Sequence, residues 1–380
     1  MVRTSLRKIT VGLLALSIGW AGSVWSAPAE TPKTQVVVLQ PTQGPGLRID
    51  FDYNSRSAAP PAFENEPIPK GKLTARGLIP TIPPTPILRN ITDGLLYLKV
   101  DHDTNFSEGS LVTYKSRYDR HVVFENLVVS TERDALEIPY TVNLYTYETG
   151  CAGWLEVQSG WSGEFELEGE TCAICVVDNL DGRIDGSDLM SLSSRKWTRG
   201  MLIRDCPVPQ TLCLGGHTLR LDFAFQSMPA GVVLEATISE LQPTLGQLSI
   251  QANGCLHLRL RDDRQIALLS FPGGTVSLPV GNYRVDNCIL YDEAHKRLSP
   301  RFAGWDQAVS ILPGQTTPLC VGAPLSNSVE VSRDRNLLHL KHRLTGAGGE
   351  QYECYDPQDS PSFAIYKGPL KIAGGTFPFG

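Results

Sequence analysis

Two short clusters of acidic and amide side chains are the residues of this sequence best suited to do chemistry. Each cluster follows an apolar run, the first in LYLKVDHDTNFSEGS and the second in CVVDNLDGRIDGSDLMSL. Carboxylate, amide and carbonyl oxygens are the ligands that Ca²⁺ takes, about six to eight at a time. The sequence therefore predicts calcium as the cofactor of one or both clusters.

The first cluster alternates acidic and amide residues, so that three oxygen-bearing side chains can converge as the chain curls. The spacing Asp-x-Asp-x-Asn is the first half of an EF-hand-type loop. The pattern then departs from that loop, because Phe106 stands at the place of the turn glycine and Val112 at the place of the bidentate acid. The predicted metal ligands here are Asp101, Asp103, Asn105 and Glu108.

The second cluster resembles the calcium loop of EF-hand and dockerin repeats more closely. With Gly182 at the invariant turn glycine, Ile184 takes the place of the aliphatic residue that anchors the loop in the core. The resemblance implies that the metal ligands are Asn179, Asp181, Asp185 and Asp188. Val177 stands at the first ligand position, normally Asp, and Asp178 follows one residue late. The tandem repeat of a dockerin is absent, so docking to a cohesin is not expected.

Both clusters allow a second interpretation. Asp, Asn and Gly favour hairpin turns on their own account, so each loop can instead be a turn whose carboxylates face water. The position of the oxygen atoms separates the two interpretations, because a cation requires them to converge.

Motif searches find no catalytic signature. The sequence contains no G-x-S-x-G, no H-E-x-x-H, no P-loop and no G-x-G-x-x-G. His339 and His342 have an odd spacing that sends them to opposite faces of a strand. We therefore expect a non-enzymatic protein with a structural or binding role, and keep a secreted hydrolase as the lesser alternative.

Four tryptophans are candidates for a sugar-stacking surface, which would suit a carbohydrate-binding or adhesion module. They are Trp154, Trp161, Trp197 and Trp305. Tryptophan is more often a core residue, and no periodic aromatic platform is visible. The partner of the protein, a protein or a glycan, stays open at this point.

The N-terminus has the organisation of a secretory signal peptide. Residues 1–8 are basic, residues 9–24 are apolar and uncharged, and small residues follow. The apolar run is shorter than the roughly 18–20 residues that a spanning helix needs, and no comparable run follows it. The mature protein is therefore predicted to lack a membrane span and to be secreted or periplasmic.

The charge balance excludes one class of partner. Three of the 34 basic residues lie in residues 1–27, which leaves 31 basic against 40 acidic groups and a net charge of −9. A phosphate-binding surface needs the opposite sign, so nucleic acid is not an expected partner.

All nine cysteines lie after residue 150. An oxidising compartment would favour disulfides among them, and the odd number leaves at least one thiol without a partner in the chain. The sequence does not fix the pairing. Cys172 and Cys175 form a C-x-x-C in a strand-like run, where residues three apart point to opposite faces, which argues against a zinc or redox site.

The elements that must position these residues are short strands. Alternating runs bounded by Gly, Pro, Asn and Asp recur along the chain, and in GEFELEG (163–169) the apolar and acidic faces are explicit. Other runs are LRIDFDY (48–54), LLYLKV (95–100), HVVFENLVV (121–129), LEIPYTVNLYTY (136–147), TLRLDFAF (218–225), LHLRLRD (256–262) and NYRVDNCILY (282–291). We predict an all-β fold, with tandem antiparallel β-sandwich domains after a cleaved signal peptide.

Proline and glycine suggest how the chain is divided. Proline is concentrated in AAPPAFENEPIPKGK and LIPTIPPTPIL, which predicts connectors or edge coverings there, and DCPVPQTLCLGG (205–216) marks a domain boundary. The predicted parts are a signal peptide (1–27), a Pro-rich segment (28–90), a β domain with the acidic loops (91–210), a β-sandwich (217–325) and a C-terminal β module or final strands (326–380).

The C-terminal half carries a different resemblance. GGTVSLPVGNYRV (273–285) and SILPGQTTPLCVGAPL (310–325) resemble transthyretin-like or carboxypeptidase-regulatory-like sandwiches, in which a Pro-x-Gly turn precedes an aromatic strand. Here Pro279 and Gly281 would form the turn and Tyr283 would begin the strand, and KIAGGTFPFG would place a glycine hairpin before Phe377. Over about residues 60–380 the chain resembles a group of uncharacterised secreted bacterial β-sandwich proteins, which implies a fold more than an activity.

Overall fold

Strands account for all the regular structure of the described residues, none of which is helical, and this confirms the all-β prediction. A computed structural model describes residues 33–52, 75–90, 95–98, 111–113, 116–118, 121–147, 152–196, 198, 203–270, 272–292, 297–298, 301–305, 307–335, 337–353 and 361–377. Within these ranges no helix is present that could cross a membrane. The predicted signal peptide lies outside them, and so do all four residues of the first acidic cluster, Asp101, Asp103, Asn105 and Glu108.

The described residues up to position 241 form fifteen strands. They are β1 (Thr34–Asp52), β2 (Ala75–Ile79), β3 (Thr85–Asn90), β4 (Leu95–Leu98), β5 (Leu111–Thr113), β6 (Ser116–Tyr118), β7 (His121–Arg133), β8 (Leu136–Tyr147), β9 (Ala152–Leu167), β10 (Glu170–Val177), β11 (Leu189–Ser194), β12 (Ile203–Pro207), β13 (Thr211–Leu214), β14 (His217–Met228) and β15 (Gly231–Leu241).

The remaining strands follow in the same described part of the chain. They are β16 (Leu245–Asn253), β17 (Cys255–Arg261), β18 (Gln265–Ser270), β19 (Gly274–Pro279), β20 (Gly281–Asp292), β21 (Arg297–Leu298), β22 (Arg301–Gly304), β23 (Ala308–Ile311), β24 (Thr316–Gly322), β25 (Ser326–Asp334), β26 (Leu337–Thr345), β27 (Gln351–Glu353), β28 (Ser362–Lys367) and β29 (Leu370–Thr376).

Alternation of apolar and polar residues explains the long strands. In GEFELEG, Phe165 and Leu167 are buried and Glu164, Glu166 and Glu168 are exposed, as the sequence predicts. In β8 every second residue from position 138 to position 146 is buried. One face of each strand therefore packs into a core and the other meets water.

One continuous path of hydrogen-bonded strands organises the fold. Its order is β12-β11-β10-β9-β1-β15-β14-β13-β18-β17-β20-β21, with β8, β7, β6 and β23 paired at its sides. Smaller sheets are β2-β3-β4-β5, β19-β16-β24, β22-β27-β26-β25 and the hairpin β28-β29. Neighbours are antiparallel except for β13 with β18 and β16 with β24.

Strand β1 joins the two halves of this path. Its residues 34–39 pair with β15, and its residues 40–52 pair with β9 on the other half. The register shifts between Gln43 and Leu47, where the sequence is Gly44-Pro45-Gly46. This segment precedes both predicted β domains in the chain, yet it lies in the middle of the strand order.

The described residues form two hydrophobic clusters. The first is built mainly from β1–β4 and β7–β15, and the second from β16–β20, β23, β24, β26 and β27. Strands β13 and β18 contribute to both, because Leu212 and Leu214 pack in the first cluster whereas Cys213, between them, packs in the second. The predicted boundary at 205–216 thus falls on a strand that both clusters use.

The C-terminal half contains the two segments for which a Pro-x-Gly turn and a glycine hairpin are predicted. Val280 alone separates β19 from β20, so the chain bends between Pro279 and Gly281, but the strand begins at Gly281 and not, as predicted, at Tyr283. The hydroxyl of Tyr283 donates to the carbonyl of Pro279 at 3.0 Å. The prediction of a glycine hairpin in KIAGGTFPFG is wrong. Gly374 and Gly375 lie inside β29, paired with β28, and the turn lies earlier, at positions 368–369.

Close approach of backbones at the β1 bulge predicts a stability effect. A Cβ atom at Gly160 would lie 2.9 Å from the carbonyl oxygen of Val176 and 3.2 Å from the Cα of Gly44, neither of which can move aside. We expect Gly160→Ala to lower the free energy of unfolding by about 1–3 kcal/mol through overpacking. Urea unfolding followed by tryptophan fluorescence measures this. The control is Gly273→Ala, where a Cβ would meet no atom within 4 Å; an equal loss at both positions would contradict the close-approach argument.

Candidate functional site

The second acidic cluster forms the connection of a β-hairpin. Residues 178–188 link β10 to β11, whose last pair before the loop is Val177 with Leu189. Gly182, at the turn position of the loop, has a φ of 72°, and Leu180 has a φ of 80°. The chain therefore curls tightly between two strands, as a calcium loop or an Asx-rich turn requires.

Asp178 begins the loop and is completely buried. Its Oδ1 accepts hydrogen bonds from the backbone N–H of Leu180 at 2.6 Å and of Asp181 at 3.0 Å. Its Oδ2 accepts a hydrogen bond from the Tyr140 hydroxyl of β8 at 2.9 Å. Both carboxylate oxygens thus accept hydrogen bonds, Oδ1 from two N–H groups of the loop and Oδ2 from a hydroxyl of the neighbouring hairpin.

Asp188 ends the loop and is also completely buried. Its Oδ1 accepts from the backbone N–H of Asn179 at 2.8 Å, and its Oδ2 accepts from that of Asp185 at 2.6 Å. The carbonyl of Asp188 accepts from the N–H of Val208. This side chain therefore ties the start of the loop to its end.

The loop docks on the β7–β8 hairpin. The Thr131 hydroxyl donates to the carbonyl of Leu180, whose side chain is fully buried in the first cluster. A Cβ at Gly182 would lie only 3.1–3.2 Å from atoms of Thr131, Arg133 and Ile138, so the glycine lets the loop lie against that hairpin. The loop is part of the core of the protein rather than an excursion from it.

The other predicted ligands fold back on the loop backbone. The Asn179 Oδ1 accepts from the N–H of Asp181, and the Asp181 Oδ1 accepts from that of Arg183. The Asp185 Oδ1 accepts from both the N–H and the hydroxyl of Ser187. These are Asx-type turns, in which a side-chain oxygen caps an N–H two residues on.

The hydrogen bonds favour the ionised form of these carboxyl groups, whereas burial disfavours it. Burial raises the pKa of Asp178 to about 7 and that of Asp188 to about 8. Repulsion from Asp181 adds to both shifts, and repulsion from Asp178 adds to that of Asp188. The pKa of Asp181 is raised by burial and by Asp185, and is lowered by Arg133.

The predicted site residues can now be placed. The fold brings Asn179, Asp181, Asp185 and Asp188 together on one loop, but within the described ranges no three His, Cys, Asp or Glu side chains are arranged to hold a metal ion. Asp178, which the EF-hand alignment leaves out, is the acid most integrated into the core. The alternative of a turn with solvated carboxylates accounts for Asp185, which is exposed, but not for the two buried acids.

A second polar region lies at an open groove of about 600 Å³ that includes Lys196, Cys213, His217 and Ser270. The Nδ1 of His217 is 2.8 Å from Glu240, and its Nε2 is 3.0 Å from Glu168. The Ser270 hydroxyl is 3.1 Å from the Nδ1 of His257. Since His257 and Ser270 are opposite each other on β17 and β18, strand pairing alone brings them within hydrogen-bonding distance.

The tryptophans predicted as a sugar platform are dispersed. Trp161 is buried in the first cluster, Trp305 packs against the second, and Trp197 lies outside the described residues. The ring of Trp154 is stacked on Tyr145 with centroids 4.7 Å apart, and the guanidinium of Arg48 lies 4.4 Å from its centroid. The faces of the Trp154 ring, on which a sugar would have to stack, are therefore occupied by Tyr145 and Arg48 from the flanking strands.

Comparison with known proteins gives no family to this chain. A scan against protein-family models finds no match, and neither a curated protein nor a solved structure is significantly similar to it.

The raised pKa values predict a pH dependence of stability. Asp178 and Asp188 hold protons in the folded state up to about pH 7 and 8, whereas an unfolded Asp releases its proton near pH 4. The folded state is therefore stabilised at low pH, and this stabilisation is lost as the pH rises towards 8, by on the order of 1 kcal/mol per pH unit for each group. Urea unfolding in chelator from pH 5 to 9 measures the slope.

Two variants separate the loop from the rest of the protein. Asp178→Asn keeps an acceptor for the loop N–H groups and removes the titration, so we expect a shallower slope. Asp263→Asn, at an exposed position between β17 and β18, should keep the slope of the unaltered protein. Equal slopes in all three proteins would mean that Asp178 does not hold a proton in the folded state.

Proposed function

We propose that this protein is an exported, non-enzymatic β-sandwich protein with a structural or binding role, and that its 178–188 loop binds Ca²⁺. In this proposal the cation holds the β10–β11 hairpin against the β7–β8 hairpin. Binding to the folded state alone stabilises it by mass action, by about 2.7 kcal/mol at a hundredfold excess over Kd.

The observation that carries the proposal is the contrast between hydrogen bonding and burial at Asp178 and Asp188. Their oxygens accept hydrogen bonds from backbone N–H groups and from a hydroxyl, an arrangement that suits carboxylates. Burial and the neighbouring acids nevertheless raise both pKa values. A divalent cation beside the loop would favour the ionised form of these acids, and oxygen ligands fit Ca²⁺ by type.

Specific residues are available to hold the cation. Asp181 and Asp185 carry the more accessible carboxylates, and each makes only local hydrogen bonds to the next residues of the loop. Rotation of these two side chains out of their Asx turns would direct their oxygens to a shared ion. Asp178 and Asp188 would remain as the rigid frame of the loop.

Calcium titration tests the proposal directly. At pH 7.5 we expect millimolar CaCl₂ to raise the melting temperature by several degrees and to give a saturable heat in calorimetry, and a chelator to reverse both. The double variant Asp181→Asn/Asp185→Asn should lose the response, and Asp263→Asn should retain it. The idea fails if calcium leaves the melting curve and the calorimetric baseline unchanged in protein stripped of metal.

The groove at Ser270 favours a second candidate, hydrolysis by a serine nucleophile. A hydroxyl within hydrogen-bonding distance of an imidazole is the minimal arrangement for nucleophilic catalysis, and burial lowers the pKa of His257 so that its ring is a neutral base at pH 7. If this candidate is right, p-nitrophenyl esters of different chain lengths should be cleaved, and Ser270→Ala should reduce the rate by at least about a hundredfold. Equal rates in both proteins would remove it.

A further inference from the structure

A buried cluster in the second core brings two cysteines together. The Sγ atoms of Cys255 and Cys288 lie 3.4 Å apart, and both residues are buried. An S–S bond measures about 2.05 Å, so a shift of about 1.4 Å would join them. Among the described cysteines no other sulfur–sulfur contact of this kind is found.

The fold explains why these two sulfurs meet although 33 positions separate them. They lie on the antiparallel neighbours β17 and β20, where Cys255 is opposite Leu290 and Cys288 is opposite Leu258. The register shifts between Cys255 and His257, which draws the two diagonal positions together. The preceding Gly254, with a φ of 70°, allows the chain to turn into β17 at this point.

Hydrogen bonds give the two sulfurs different roles. The Cys255 Sγ lies 3.2 Å from the carbonyl oxygen of His257, and the Cys288 Sγ lies 3.4 Å from the hydroxyl of Tyr352, which donates its hydrogen to Glu350 at 3.0 Å. The hydrogen bond between the two cysteines raises the pKa of Cys255 and lowers that of Cys288. Cys288 is therefore the sulfur better suited to be a thiolate, which is the form that attacks disulfides.

We propose that Cys255 and Cys288 are an oxidation site that forms an intrachain disulfide by exchange with a disulfide-bearing oxidant, a small molecule or a protein. The Cys288 thiolate attacks one sulfur of the oxidant, which forms a mixed disulfide and releases one thiolate. The Cys255 sulfur, after losing its proton, attacks Cys288 and releases the second. Two protons go to the released thiolates, so the oxidant leaves as two thiols while the protein gains one S–S bond.

The surroundings predict when the exchange is fast. Leu344 of β26 and Tyr352 of β27 pack in the same cluster, and the Tyr352 hydroxyl contacts Cys288 directly. These strands must be displaced before an oxidant reaches either sulfur. Oxidation should therefore be slow in the folded, reduced protein and fast during refolding from urea. This proposal is independent of calcium binding, since the loop at 178–188 packs in the other cluster.

Peptide mapping tests the pair. Trypsin places Cys255 alone in residues 221–259 and Cys288 alone in residues 285–296. The full chain is refolded with oxidised glutathione, blocked with N-ethylmaleimide and digested. We expect these two peptides to be joined, and to separate on reduction. The oxidised protein should melt about 5–8 °C above the reduced one, because the crosslink constrains the unfolded chain.

Single variants provide the control. Cys255→Ser and Cys288→Ser should lose the joined peptide and the dependence of melting on oxidant, whereas Cys213→Ser, in the same cluster, should retain both. Full alkylation of Cys255 and Cys288 after refolding in oxidant, or a joined peptide between either one and another cysteine, would overturn the proposal. If a variant does not fold, the peptide map of the unaltered protein decides alone.

Discussion

Burial of Asp178 and Asp188 is the constraint on which the arrangement of the first core depends. A carboxylate without exposed surface is tolerated only when donors surround it, since an unpartnered buried charge is very unfavourable. The donors come from two places, the backbone of the loop and Tyr140 on the adjacent hairpin. The β7–β8 and β10–β11 hairpins must therefore lie at a fixed distance, and the ring of Tyr140, packed edge-on against Trp161, sets it.

Sharing of strands links this region to the rest of the chain. Because β13 and β18 are buried on both faces, a shift of either strand would disturb both hydrophobic clusters at once. Cys213 and Ala267 are the buried residues of these strands in the second cluster, and both have small side chains. The parallel pairing of β13 with β18 needs a long connection, which β14–β17 supply. The two cores are thus coupled through backbone hydrogen bonds, even though their side chains are separate.

Local patterns carried most of what could be predicted. Alternation identified β8, β14 and β20 because one-sided burial is recorded in neighbouring residues, and the Asp, Asn and Gly content of 178–188 identified a tight acidic loop. Burial of Asp178 was not predictable, because its partner Tyr140 lies 38 positions earlier on another hairpin. The central position of β1 in the strand order was not predictable, because Gly44-Pro45-Gly46 is typical of a turn that ends a strand. In the structure this segment forms a bulge within β1. The approach of Cys255 to Cys288 depends on a register shift between β17 and β20, which the spacing of cysteines in the sequence does not reveal.

The second core repeats the same solution with different residues. Glu350 is fully buried, and its oxygens accept from the N–H groups of Gly322 and Gly348 and from the Tyr352 hydroxyl at 3.0 Å. A Cβ at Gly346 would collide with this carboxylate, and one at Gly348 would collide with the carbonyl of Cys320, so both positions require glycine. In each core a tyrosine and backbone N–H groups hold a buried acid, Asp178 in the first core and Glu350 in the second. Both acids accept from distant segments, so both join strands. The side chains of Asp181 and Asp185 instead accept only within the 178–188 loop, so these two carboxylates can exchange their hydrogen bonds for other partners without separating the hairpins.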